Sequence, residues 1–169
     1  MTSIYQGLLG FERVTHAWLV RHSIGVLRIS LGTVLLGFGV LKYFPGVSPA
    51  ESLVVATVDR LSGGLVPGSV ALVATATLEC TIGLILIIGR VLRVGVYLLG
   101  AQLLGILSPL VLLPERLFSG PFHAPTLEGQ YVLKDIILVA AGTVIATQFR
   151  GAKITLAETT QDGADTRGS

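Results

Sequence analysis

The sequence predicts an all-α, polytopic membrane protein: a four-transmembrane-helix bundle with a short outer interfacial helix. Three observations predict it. Apolar residues make up 51% of the 169 and charged residues 13%, about half the charged share of an ordinary soluble domain. Mean hydropathy is +0.78. Four stretches of about 20 apolar residues, each able to cross a hydrocarbon layer of about 30 Å, take up about half of the chain and leave no room for a separate catalytic domain.

Taken in order, residues 1–23 form a cytoplasmic amphipathic N-terminal segment, clearest over 4–19, with Trp18 suited to the headgroup level. Glu12, Arg13 and Trp18 precede the first apolar run and no small-x-small site follows it closely, so that run reads as an uncleaved span rather than a signal peptide. The transmembrane domain covers 24–149, with spans at 24–44, 68–88, 91–113 and 127–149. Residues 150–169 are a cytoplasmic, polar, disordered tail.

The connections are as informative as the spans. Gly89-Arg90-Val91-Leu92-Arg93 is so short that the second and third spans must form an antiparallel hairpin. After the first span, Ser48-Pro49-Ala50-Glu51 has the form of a capping box with proline at the first helical position. A short helix should start there, with Leu53, Val54, Thr57, Val58 and Leu61 on its apolar side, Gly63-Gly64 at its end, and its axis flat in the outer interface. After the third span, Pro114, Pro121 and Pro125 around Phe118, Phe122 and His123 predict a turn-rich loop.

Orientation follows from the basic residues, which cytoplasmic loops retain. Arg13, Arg21, Arg90, Arg93, Arg150, Lys153 and Arg167 fall on one side, and only Arg60 and Arg116 on the other. Both termini are therefore expected in the cytoplasm. A net charge of +2, scattered along the chain, gives no basic face for nucleic acid. The single cysteine, Cys80, excludes an internal disulfide, a CxxC redox pair and a cysteine zinc cluster. A lone loop histidine such as His123 makes no metal or haem site, so none is assigned.

Five ionisable residues nevertheless fall inside the spans: Arg28 and Lys42 in the first, Glu79 in the second, Lys134 and Asp135 in the fourth. Facing lipid, they would cost on the order of 10 kcal/mol together. They must turn inward. Residues at i, i+4, i+7, i+11 and i+14 of a helix stay within about 40° of one line. In the first span that line holds Arg28, Gly32, Leu35, Gly39 and Lys42; in the second Leu72, Thr75, Glu79, Gly83 and Leu86; in the fourth Asp135, Val139, Gly142 and Ala146, with Lys134 about 100° away. Small residues on these lines let helices approach closely in lipid. The same glycine-lined faces would serve contacts within one bundle or between two copies, so a homo-oligomer stays among the alternatives.

Helical rise places Glu79 about twelve residues from one end of its span and Gln102 about eleven from the other end of its own, so the two can meet near the midplane. Arg28 is expected to reach up toward Glu79, and Lys42 to pair with Asp135 near Lys134, giving two connected polar clusters. The bland reading is an ion-paired lock that fixes helix register, with Lys42 snorkelling to the interface and Cys80 as a small packing residue. The functional reading is a ligand pocket or proton path built from Arg28, Lys42, Glu79, Gln102, Lys134 and Asp135.

At these charged positions the chain resembles the DoxX-like superfamily of small four-helix bacterial membrane proteins, YkgB type. The likeness is carried by Leu27-Arg28-Ile29-Ser30 running into Gly39-Val40-Leu41-Lys42-Tyr43-Phe44-Pro45, by Leu78-Glu79-Cys80-Thr81-Ile82-Gly83, and by Tyr131-Val132-Leu133-Lys134-Asp135. The outer loop after the first span is shorter than the YkgB pattern has it. The resemblance implies a multi-pass protein of the bacterial plasma membrane, associated through partner proteins with oxidant defence or quinone-linked oxidation. The expected role is a non-catalytic membrane subunit, since no cofactor motif and no nucleophile-base pair is present. Its polar interior would hold a small amphipathic ligand such as a quinone, non-covalently, beside a redox partner protein. The alternatives are a small-solute or proton transporter or channel, and a purely structural scaffold.

Overall fold

In the computed structural model, residues 2–147 are described, with side chains from residue 11 onward. The expected tail at 150–169 and the end of the fourth span lie outside them. Every regular element among the described residues is helical: α1 (Thr2–Leu41), α2 (Glu51–Ser62), α3 (Gly68–Ile88), α4 (Leu92–Leu107), α5 (Pro109–Leu112), α6 (Pro114–Leu117), a 3-10 turn (Pro121–His123), α7 (Leu127–Lys134) and α8 (Ile136–Ala146). Four segments are long and apolar enough to cross a membrane: Phe11–Leu41, Gly68–Ile88, Leu92–Leu112 and Pro121–Ala146. The chain is a multi-pass membrane protein.

No proline interrupts the chain before Pro45, and α1 accordingly runs unbroken for 40 residues. The N-terminal segment and the first span are thus one helix, not two elements. Its length of about 60 Å is twice the hydrocarbon thickness. Pro45 has no amide to give the Leu41 carbonyl four residues back, and past Leu41 tighter turns take over, with the amides of Lys42, Tyr43 and Phe44 bonded to the carbonyls of Gly39, Val40 and Leu41.

α1 packs on α3, α3 on α4, α4 on α8 and α8 back on α1. This closes a four-helix ring around Leu31, Leu35, Ile82, Leu86, Leu99, Leu103, Ala141 and Ile145. Dispersion and close approach hold such a ring, because lipid tails are as apolar as leucine. The expected α3–α4 hairpin forms. Gly89 at φ +76° closes α3, and Val91 at φ +47° opens α4.

α2 starts at Glu51, and the anticipated capping box is not made. Glu51 Oε2 accepts from the Gly46 amide at 2.6 Å, while Ser48 Oγ is buried with no partner among the described residues. The carboxylate satisfies the tight turn that follows α1, so it is no longer free to reach back to Ser48. The helix ends at Gly63, φ +62°, whose amide bonds the Asp59 carbonyl. Leu53 is buried with Leu117 and Val132, so α2 packs across one end of the bundle. The loop after the third span also holds more structure than a turn-rich reading gives. Pro109 and Pro114 each open a helical turn, as fixed φ and a missing amide favour at a first helical position, and Pro121 opens a 3-10 turn in which Phe122 and His123 take left-handed φ of +56° and +60°.

The fourth span is broken at Asp135, which stays near helical geometry (φ −69°, ψ −12°) between α7 and α8. Thr126 caps α7, its hydroxyl accepting from the Gly129 amide at 3.1 Å.

Candidate functional site: a charged cavity beneath α2

Gly39 has no side chain, so α3 comes up against α1 there; a Cβ on it would lie 3.0 Å from Glu79 Cβ and 2.9 Å from Cys80 Sγ. One turn on, Lys42 reaches across. Helical side chains lean toward their own N-terminus. Lys42 therefore leans into the bundle, and Glu79, on an antiparallel helix, leans out to meet it. Lys42 Nζ donates to Glu79 Oε2 at 2.6 Å, and Gln102 Nε2 on α4 donates to Glu79 Oε1 at 3.0 Å. Lys42, Glu79 and Gln102 are 7%, 4% and 7% exposed, so this pair does not snorkel.

Beside this triad lies a cavity of about 240 Å³. Lys42, Glu79 and Gln102 contribute to its lining, as do Val34 and Phe38 of α1 and Leu138 of α8. Leu53, Val54 and Thr57 of α2 close it on the side facing away from the ring. Asp135 also lines it, and among the described residues its carboxylate makes no side-chain hydrogen bond. Asp135 lies within electrostatic range of both Lys42 and Glu79. The half-exposed Phe38 and Tyr131 both line the cavity, which brings it close to the surface of the bundle between α1 and α7.

Three of the expected site residues therefore come together as a hydrogen-bonded triad, with Asp135 facing the same space. Two do not join them. Arg28 lies at the hairpin end, its guanidinium against Gly89, where a Cβ would fall 2.5 Å from Nη1; its buried Nε has no partner among the described residues. The lean that brings Lys42 to Glu79 carries Arg28 away from it. Lys134 is exposed, its ammonium 5.6 Å from the centre of the Tyr131 ring. The expected Lys42–Asp135 pair is replaced by Lys42–Glu79, because the glycine face of α1 packs on α3. Among the described residues, the interior of the bundle holds one charged cluster where two were expected. Cys80, packed against Gly39, points its thiol at the Leu36 carbonyl, 4.0 Å away.

Sequence reasoning missed the means of holding α2. Ser52 Oγ donates to Glu128 Oε1 at 2.8 Å, while Arg116 Nε and Nη2 donate to Glu128 Oε2 and Oε1 at 2.5 and 2.8 Å. The fork ties α2 to α6 and α7, and its bond to Glu128 raises the Arg116 guanidinium above its ordinary value. The available signal was Glu128 two residues after the Thr126 cap, where a carboxylate suits a helix start. Among the described residues no group of three or more His, Cys, Asp or Glu side chains is placed to hold a metal ion.

Compared with protein-family models, with curated proteins and with solved structures, the chain gives no match.

Proposed function

We propose that this chain is a non-catalytic membrane component whose cavity beneath α2 holds a small amphipathic molecule. The observation that carries the reading is a space with apolar walls that also presents Lys42, Glu79, Gln102 and Asp135. Apolar walls with a few convergent polar groups are the usual make-up of a small-molecule site, and ionisable groups at membrane depth are costly unless used or paired. A pure scaffold needs the Lys42–Glu79 pair but has no use for a cavity or for Asp135. The packed leucines and isoleucines of the ring lie toward the hairpin end, so a transporter reading would require those helices to part.

The likeness to DoxX-like proteins at the three charged segments supports a place in a redox or oxidant-defence system, with a quinone as one candidate occupant and a partner protein supplying the chemistry. The excess of Lys and Arg at the hairpin end supports cytoplasmic termini in a bacterial plasma membrane. The geometry itself asks for an apolar body and a polar head. The test is gentle purification from native membranes, followed by mass spectrometry of extracted small molecules and co-purifying proteins. A stoichiometric amphipathic molecule retained by the wild type and lost from Gln102→Leu is the expected result. Full recovery of folded protein with the cavity empty in both would overturn the reading.

A further inference from the structure

The charges around the cavity do not balance. Lys42 is taken up by one oxygen of Glu79 at 2.6 Å, and Gln102 donates to the other at 3.0 Å. Asp135 faces the same space with no hydrogen-bond donor of its own among the described residues. One cation and two carboxylates leave a formal charge of −1 beside walls that are otherwise mostly apolar. An uncompensated carboxylate in such surroundings is costly, and a positively charged partner that donates to it removes the cost. The rings of Phe38 and Tyr131 also line the cavity, and aromatic faces attract ammonium groups. The volume of about 240 Å³ is below the roughly 300–1,000 Å³ of typical ligand pockets, so the occupant is small.

We infer that the occupant's head group is a cation, specifically a protonated amine, hydrogen-bonded to Asp135, with its apolar body against Val34, Phe38 and Leu53. This rests on the cavity being a ligand site and names the chemistry of that ligand. A neutral quinone offers only acceptors, which can take the remaining N–H groups of Lys42 and Gln102 but give Asp135 nothing, whereas an alkyl- or arylalkylammonium supplies both the positive charge and the donor that Asp135 lacks.

The test uses the full chain in lipid nanodiscs and two probes of the same shape, phenylbutylammonium and phenylbutanol, titrated calorimetrically against wild type and Asp135→Asn at neutral pH, with empty nanodiscs as the blank. The expected result is that the ammonium binds the wild type about tenfold more tightly than the alcohol, and that Asp135→Asn removes this preference. An unfolding temperature like that of the wild type, followed by circular dichroism in the same nanodiscs, shows that the variant is folded. Equal binding of the two probes to the wild type would overturn the cation inference and leave the ligand site standing. Persistence of the preference in Asp135→Asn would overturn the role of Asp135. Binding of neither probe would overturn both this inference and the reading on which it rests.

Discussion

Gly32 of α1 and Gly83 of α3 meet backbone to backbone. A Cβ on Gly32 would lie 2.8 Å from the Gly83 carbonyl oxygen, and one on Gly83 would lie 2.7 Å from that of Gly32. Neither oxygen can swing aside as a side chain would, so the two helices must separate to admit even a methyl group. The separation would be felt at Glu79, about one turn from Gly83, and at Lys42, nearly three turns from Gly32.

Gly32→Ala and Gly83→Ala should each therefore lose about 1–3 kcal/mol, the usual cost of overpacking. Gly25, where a Cβ would meet nothing within 4 Å, provides the control: Gly25→Ala should be neutral or gain up to about 1 kcal/mol of helix propensity. Thermal unfolding in one detergent, followed by circular dichroism, separates the three. Equal stability of all three variants would mean that the glycine contact does not hold the bundle.

A second prediction concerns the buried ion pair. Lys42→Met leaves Glu79 charged and without its cation, and breaking such a pair from one side typically costs about 3–5 kcal/mol. The double variant Lys42→Met/Glu79→Met removes both charges and should recover most of that loss. A double-mutant cycle in folded yield and unfolding temperature measures the coupling. Additive losses would show that the 2.6 Å contact carries no energy of its own.

These two contacts also show what the sequence made legible. The line Gly32, Leu35, Gly39, Lys42 was visible because a helix repeats every 3.6 residues, and depth counting brought Gln102 to Glu79. The choice of partner for Lys42 was not visible, since counting residues put Asp135 at its level and Glu79 nearer the midplane, and the opposed leans of Lys42 and Glu79 close that gap. The choice depends on which neighbour the glycine face of α1 packs against. Arg28 was misdirected for a plainer reason: its reach was counted and its lean was not. The position of α2 was hidden because amphipathic spacing defines an apolar face but not what covers it. Leu117 and Val132, which lie far along the chain, decide that.

Glu128 holds Ser52 and Arg116 together across three elements. With side chains 37% and 23% exposed, the Arg116–Glu128 pair should contribute at most about 1 kcal/mol, or roughly fivefold in an opening equilibrium. That is enough to change how often α2 lifts without unfolding the bundle. In a Cys80→Ser background, a cysteine placed by Thr57→Cys sits under α2, and its labelling by a water-soluble maleimide reports opening. Arg116→Ala should speed labelling about fivefold while leaving the unfolding temperature almost unchanged. An unaltered labelling rate would remove the latch from the account of the cavity.

Gly89 supplies the last prediction, at the end of the bundle away from the cavity. Its φ of +76° is left-handed, and the Arg28 guanidinium occupies the space where a side chain would begin. A substitution there meets two penalties, backbone strain and collision, which can be separated. Gly89→Ala should lose about 1–3 kcal/mol. In an Arg28→Ala background only the backbone part should remain, and both variants should bind cavity probes as the wild type does, because Arg28 touches neither Glu79 nor Asp135. If Gly89→Ala costs the same in both backgrounds, the guanidinium is not held against the turn. If Arg28→Ala weakens probe binding, the two ends of the bundle are coupled in a way that the packing of Leu35, Ile82 and Leu99 between them does not provide.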